Sequence, residues 1–182
     1  MIVEKIIQKA MEKADAAQAV MSTQETSAVD FENDKLKSAE SSQRTNINVK
    51  VIKDGKVGTS STTDPADIEG VVRRALEAAE FGSKANFEMP GPGELNPVKI
   101  FDPKLLPLQK PEMISMGQQM MDMIKAYNPD ILAGAGVNRT ITKIEFANSK
   151  GASYAEEHTN FDVGAGGQWT RGTDILFAGH SL

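Results

Sequence analysis

The stretch from residue 28 to residue 64 constrains the fold most strongly, because it joins two β-rich runs through an Asp-Gly pair. Residues 46–52 alternate polar with apolar side chains, which is the period of a strand with one buried face. Asp54-Gly55 follows and favours a hairpin, since a type I′ turn needs positive φ at both central residues. Residues 57–63 supply the returning strand. The stretch therefore predicts antiparallel strands that the rest of the chain covers.

Further strands are predicted on the N-terminal side of this hairpin. Residues 17–22 indicate a first strand, and Val29 and Phe31 alternate with polar neighbours in a second. Residues 32–35 supply turn-forming side chains, and residues 36–42 supply the return strand.

Three segments repeat apolar residues at helical spacing. Residues 2–16 predict an amphipathic helix that covers the sheet, and a membrane-surface role is disfavoured because the polar face is not strongly basic. A second helix is predicted from Asp64 as N-cap and Pro65 as first helical residue, ending near Gly82. A third is predicted from 111 to 127. Five methionines in this helix allow an adaptable binding face, but methionines at helical spacing favour core packing.

A proline-rich segment separates the second and third predicted helices. Six of the eight prolines fall between Pro90 and Pro111, which excludes a helix and allows only short edge strands, such as one at 98–101. The predicted organisation is an N-terminal α+β domain at 1–82, a linker at 83–110, and the truncated start of a middle domain at 111–182. A loop wrapped over the first unit is an equal alternative for the linker.

The C-terminal part of the chain is predicted to be β-structure again. The apolar residues from 131 onwards change phase, which predicts a β-bulge near Thr142-Lys143. Residues 148–151 form a turn sequence, and residues 152–165 supply the returning strand. Residues 175–177 resemble a strand cut off from its continuation.

Charge and composition exclude several classes of function. The net charge is −5 and there is no basic tract, which argues against direct nucleic-acid binding. The absence of cysteine excludes disulfides, thiolate catalysis and cysteine zinc sites. The N-terminus does not resemble a signal peptide, and no segment has the length of a membrane span, so a cytoplasmic protein is expected.

The candidate sites for chemistry are all weak. Residues 156–158, Glu-Glu-His, are adjacent in a strand and point to opposite faces, so they do not converge on a metal. The glycine runs at 134–136 and 164–167 lack the phosphate-loop spacing, and close strand packing explains them better. The hydroxyl clusters at 41–42 and 59–63 have no nearby histidine as a base. The residues predict an α+β fold, an antiparallel sheet with flanking amphipathic helices, and no catalytic, cofactor-binding or metal-ligating residue.

Several motifs in order resemble the TldD/PmbA family. Phe31–Ser38 resembles the family's first hairpin, Val49–Gly58 its Asp-Gly hairpin, and Ser60–Asp64 the run that precedes its amphipathic helix. Pro97–Asp102 is similar to the family's linker strand, and Asn148–Gly151 to its middle-domain hairpin. The resemblance covers most of the chain and implies the fold of the family's N-terminal domain.

The resemblance also implies a function. The family carries the label of a modulator of DNA gyrase and is understood as a zinc metalloprotease, in which TldD and its paralogue TldE (PmbA) act together on peptides. The zinc motif H-E-x-x-x-H of the TldD type does not occur here, and the tail at 173–177 resembles the TldE type. No catalytic residue is therefore carried over, and zinc is expected only in a full-length TldD-type partner.

Two hypotheses follow from the resemblance. The first is the N-terminal region of a TldE-like subunit that contributes to assembly, with a TldD-type partner or by self-association, and to holding a peptide by strand addition. The second is a stand-alone, gyrase-modulator-like interaction module without a role in proteolysis. Neither direct nucleic-acid binding nor membrane binding is expected.

Overall fold

The protein folds into an antiparallel six-stranded sheet with three α-helices, an α+β architecture that confirms the predicted fold class. The computed structural model describes residues 1–94, 96 and 98–182. The strand order is β3-β2-β1-β4-β5-β6. In chain order the elements are α1 (Ile2–Ala10), β1 (Ala16–Glu32), β2 (Lys35–Lys53), β3 (Lys56–Thr62), α2 (Ile68–Glu80), a 3-10 turn (Pro103–Leu105), α3 (Lys110–Tyr127), β4 (Leu132–Asn148), β5 (Ser153–Arg171) and β6 (Asp174–Ser181).

The strands are longer than the sequence predicts. The two strands expected at 17–22 and 28–31 are one strand of 17 residues, β1. The segments between the apolar runs are polar and show no alternation, but their hydroxyl groups pair across the sheet. The Oγ1 atoms of Thr23 and Thr45 lie 3.3 Å apart, and the Oγ atoms of Ser27 and Ser41 lie 3.0 Å apart. Cross-strand hydroxyl pairs of this kind stabilise a sheet without apolar burial.

The predicted turns are confirmed. Asp54 and Gly55 have φ of 51° and 70°, and Asn33 and Asp34 have φ of 50° and 67°. Positive φ at both central residues is the type I′ geometry that matches the twist of the flanking strands. The turn after β4 contains Gly151 at φ 88°.

Two predicted helix boundaries are wrong. The first helix ends at Ala10 rather than residue 16, because the backbone N–H of Asp15 already donates to Ile52 O at 2.8 Å. The second helix begins at Ile68 rather than next to Asp64. The carboxylate of Asp64 accepts from the N–H of Ala66 at 2.9 Å, so it stabilises a turn before the helix and does not cap it.

Contacts divide the chain into two compact units. Unit 1 comprises Met1–Gln24, Arg44–Lys99 and Thr142–Glu157. In its core, apolar residues of α1 and α2 pack on β1, β2 and β4; the fully or almost fully buried members include Val3, Ile6, Ile47, Val49, Val51, Val71 and Ala75. Gly58 allows α2 to lie directly on β3, since a Cβ there would meet Ala75 O at 2.0 Å.

Unit 2 comprises Glu25–Gln43, Ile100–Ile141 and His158–Leu182. Its core lies between α3 and the strands β1 and β4; the buried members are Val29, Phe31, Met113, Met121, Ala133, Ala135 and Val137. Gly117 lets α3 pack on the ring of Phe31, because a Cβ at Gly117 would lie 2.4 Å from Phe31 Cε2.

The proline-rich segment contains no strand at 98–101, so that prediction is wrong. Ile100 O accepts instead from the N–H of Thr159 at 3.0 Å, and a 3-10 turn follows. Leu95 and Pro97 lie outside the described residues, so the linker strand implied at Pro97–Asp102 is described only from residue 98. The domain boundaries at 82 and 110 stay a prediction.

Candidate functional site

An apolar groove in unit 2 is the strongest candidate for a functional surface. It lies between the C-terminal half of α3 and the strands β5 and β6, and it has a volume of about 780 Å³. Its lining residues are Met120, Met123, Ile124, Tyr127, Asn128, Ile131, Val163, Gly164, Ala165, Gly166, Gly167, Trp169, Leu176, Ala178, Gly179, His180 and Leu182. Among the lining side chains, His180 carries the one imidazole, and none carries a carboxylate, ammonium or guanidinium group. The groove therefore suits apolar partner groups.

The groove exists because α3 has two apolar faces. Met113 and Met121 are buried in the core of unit 2, as predicted for methionines at helical spacing. Met123 and Tyr127, in contrast, are 67% and 87% exposed at the groove. An exposed methionine side chain adapts to differently shaped apolar partners, so this end of α3 is equipped for binding rather than for core packing.

Close backbone packing shapes one wall of the groove. A Cβ added at Gly167 on β5 would lie 2.3 Å from Ile131 Cγ2, and one at Gly166 would lie 2.6 Å from Ala178 O. These glycines therefore allow β5 to approach the segment before β4 and the strand β6. They are interior strand positions, in agreement with the strand-packing interpretation of the glycine run.

Lys125 fixes the end of α3 that lines the groove. Its Nζ donates to Ile131 O at 2.5 Å and to Pro129 O at 3.1 Å, and it lies 2.6 Å from Asp34 Oδ2. Asp34 Oδ1 also accepts from the N–H of Ala133 at 2.9 Å. The hydrogen bond from Lys125 is the main reason why the pKa of Asp34 lies below its ordinary value, and the bond from the N–H of Ala133 lowers this pKa further. The ion pair thus ties α3, the loop that follows it and the β1–β2 turn together.

Arg139 is the one basic residue in the buried row of β4. Only 6% of its side chain is exposed, and its Nη2 lies 2.6 Å from Glu25 Oε1. Its Nη1 donates to the carbonyl oxygens of Leu105, Leu106 and Leu108 at 3.3, 3.2 and 2.7 Å. Arg139 therefore fastens the segment that leads into α3.

The outer edge of β6 is a second candidate surface. Val163 and Leu182 exchange both backbone hydrogen bonds, at 2.9 and 3.1 Å, which sets the phase of the β5–β6 ladder. In an antiparallel pair such bonded positions alternate, so the even-numbered residues of β6 bond to β5. The N–H and C=O groups of Ile175, Phe177, Gly179 and Ser181 therefore point away from β5. Among the described residues, no strand pairs with this edge.

The residues considered for metal binding do not form a site. Glu157 lies on β5 and pairs with Lys143, with 2.8 Å between Oε1 and Nζ. Within the part of the chain that the structure describes, no group of three or more histidine, aspartate and glutamate residues is placed to hold a metal ion. The zinc that the family resemblance implies therefore does not fit the described residues of this chain.

Sequence reasoning missed the groove, Lys125 and Arg139. The sequence contained one indication of Arg139: it lies between Val137 and Ile141 in the buried alternation of β4, at a position where an apolar residue is expected. The groove has no local sequence signature, because it is built from elements that are distant in sequence.

In the described residues, no helix is long and apolar enough to cross a membrane.

Part of the sequence and the whole fold are similar to known proteins. Residues 17–79 match the family described as PmbA/TldA metallopeptidase domain 1. A search of curated proteins found no match. TldE from Thermococcus kodakarensis is similar over 100% of this chain and 42% of its own, with a TM-score of 0.89 and 13% identity.

Two further solved structures are named as candidate modulators of DNA gyrase. The protein from Thermotoga maritima has a TM-score of 0.84 and 16% identity, over 99% of this chain and 42% of its own. The protein from Bacteroides thetaiotaomicron has a TM-score of 0.84 and 14% identity, over 99% and 43%. The chain thus spans less than half the length of these relatives. The predicted resemblance to the TldD/PmbA family is confirmed: residues 17–79 match the first domain of that family, and the whole chain shares the fold of the solved TldE and of the two candidate gyrase modulators.

Proposed function

We propose that this chain is the N-terminal region of a PmbA/TldE-like subunit of a TldD/TldE-type metallopeptidase that acts on peptides in the cytoplasm. The match of residues 17–79 to the first domain of a metallopeptidase family carries the proposal. The likeness of the fold to a TldE supports the subunit type. Because the described residues offer no metal-binding group, we assign the zinc to a TldD-type partner subunit.

Within such an assembly, the groove of unit 2 contacts the substrate. An unfolded peptide exposes apolar side chains, and the uncharged lining along α3 and β5 provides a surface on which they lose contact with water. The adaptable Met120 and Met123 allow peptides of different sequence to bind. The outer edge of β6, with which no described strand pairs, serves assembly, since a strand edge accepts another strand through backbone hydrogen bonds.

A peptidase assay tests this proposal. The TldD-type protein from the same organism cleaves an unfolded peptide in the absence and presence of this chain, and we expect the chain to raise the cleavage rate. Met123→Glu places a carboxylate in the apolar lining, where its desolvation disfavours peptide binding, so this variant should stimulate several-fold less.

A matched control separates the groove from the rest of α3. Gln119→Glu makes the same change of charge on the same helix, but its exposed side chain does not line the groove, so its stimulation should equal that of the wild type. Equal cleavage with and without the chain would refute the subunit role. Full stimulation by Met123→Glu would refute the role of the groove but would leave the subunit role intact.

A stand-alone, gyrase-modulator-like interaction module is the second candidate. It is favoured by the names of the relatives from Thermotoga maritima and Bacteroides thetaiotaomicron. The net charge of −5 favours a protein partner over DNA. Capture of DNA gyrase by the immobilised chain, together with a changed supercoiling rate and no effect on TldD-type cleavage, would replace the first proposal with this one.

A further inference from the structure

A polar pocket in unit 1 lies on the face of the sheet opposite to α1 and α2. Residues such as Ala17 and Val49 are buried under these helices, so the residues that alternate with them along β1 and β2 point to the other face. The pocket on that face has a volume of about 390 Å³. The side chains that line it from β1, β2 and β3 are those of Gln18, Val20, Asn48, Lys50, Thr59 and Ser61.

The pairing of β2 with β3 places the polar groups of the pocket side by side. Lys50 is opposite Thr59, and Asn48 is opposite Ser61. In the part of the chain that the structure describes, none of these four side chains, nor that of Gln18, forms a hydrogen bond or an ion pair. They differ in this from the hydroxyl pairs in the middle of β1 and β2, which bond to each other. The polar groups of the pocket are therefore available to a ligand.

Lys50 is the one charged residue in the lining of the pocket that the structure describes. Its Nζ lies 5.5 Å from the centre of the Phe87 ring, and no carboxylate of the described residues forms an ion pair with it. A cation–π contact holds the ammonium group without neutralising its charge. One ammonium group among neutral hydrogen-bond donors is complementary to a singly charged carboxylate, whereas bidentate recognition of phosphate favours arginine.

An aromatic pair lies next to the apolar end of the pocket. The N–H of Ser149, which directly follows β4, donates to Ala17 O on β1 at 2.8 Å. Counted from this pair, antiparallel pairing places Val20 opposite Phe146, and opposite residues share a face of the sheet. The ring of Phe146 stacks on that of Tyr154, with 4.8 Å between the ring centroids. A carboxylate in the pocket therefore has an apolar surface beside it.

We propose that this pocket binds the C-terminal residue of a peptide, with its carboxylate at Lys50 and an apolar side chain over Val20 and Phe146. The amide group of Asn48 and the hydroxyl group of Thr59 donate to the carboxylate oxygens. The choice of a peptide as the occupant rests on the proposed function, whereas the binding of a carboxylate rests on the pocket alone. The volume suits the end of a peptide rather than a long segment.

Titration of the chain with the tripeptide Ala-Ala-Leu, followed by NMR of the backbone amides, tests this proposal. We expect the signals of residues 48–50 and 59–61 to shift. Amidation of the C-terminus should weaken binding about tenfold, which is the loss expected for one hydrogen bond between charged groups. Lys50→Met should weaken binding of the free acid about tenfold and leave binding of the amide unchanged.

Lys5→Met is the matched control, because Lys5 is exposed on α1, on the opposite face of the sheet. It should bind both peptides as the wild type does. Equal binding of acid and amide, or unchanged binding by Lys50→Met, would overturn the proposal, and shifts confined to other residues would overturn the location of the site. The titration uses this chain alone, whereas the peptidase assay needs the TldD-type protein, so each proposal fails on its own measurement.

Discussion

Replacement of Arg139 tests how the segment before α3 is held in place. Arg139→Met keeps most of the aliphatic volume and removes the guanidinium, whose shortest bonds are 2.6 Å to Glu25 and 2.7 Å to Leu108 O. The bonds to Leu105 and Leu106 are longer, at 3.3 and 3.2 Å, and contribute less. We expect a destabilised protein that still folds.

The size of the destabilisation depends on the hydrogen bonds that the carboxylate of Glu25 and the carbonyl of Leu108 lose when the guanidinium is removed. Two hydrogen bonds to a charged group contribute about 1.5–3 kcal/mol each. The loss is reduced because the guanidinium no longer has to be desolvated, and because the side chain of Glu25 is 50% exposed and regains water. The expected decrease in the free energy of unfolding is about 2–3 kcal/mol.

Urea unfolding followed by circular dichroism measures this decrease. With an m-value of about 1–3 kcal/mol/M, the midpoint should fall by roughly 1 M, and limited proteolysis should cleave faster between residues 100 and 109. Arg73→Met is the control, since Arg73 is 65% exposed and pairs with Glu77 on the same helix. It should change stability by less than about 0.5 kcal/mol. An Arg139→Met variant as stable as this control would refute the reasoning.

Two further substitutions test packing and charge. Gly58→Ala should destabilise unit 1 by about 3 kcal/mol, because its Cβ would lie 2.0 Å from the backbone oxygen of Ala75. Gly91→Ala, whose Cβ would have no atom of the described residues within 4 Å, should be neutral in the same urea titration. Asp34→Asn should reduce stability at neutral pH. Because Lys125 lowers the folded-state pKa of Asp34 below 3.8, this stabilisation is present above that value and is lost as the pH falls through the folded pKa. The difference from wild type should therefore shrink in acid, and a difference independent of pH would contradict the ion pair.

The turns and helices were predictable because their signals are local. Asp54-Gly55 has the positive φ that its residue types favour, and the apolar period of α3 gives its bounds within one residue. The lengths of β1 and β2 were not predictable in this way. Their polar middle segments are held by hydroxyl pairs between strands, and such pairs leave no alternation in the sequence.

The candidate site depends on contacts between distant parts of the chain. The sequence indicates that methionines lie on α3, but which of them face the core depends on which strands α3 covers. Met121 packs on the strands, and Met123, two residues later, is exposed at the groove. Arg139 could have been recognised as an exception in an apolar row, but its carbonyl partners lie more than thirty residues away.

Peptide cleavage by the TldD-type protein, with and without this chain, tests the central claim most directly. The two proteins are first mixed and passed over a sizing column, and the cleavage rate of an unfolded peptide is then measured in the shared fraction. A TldE-like subunit predicts that both proteins elute together and that cleavage is faster than with the TldD-type protein alone. Separate elution with an unchanged rate would contradict the account.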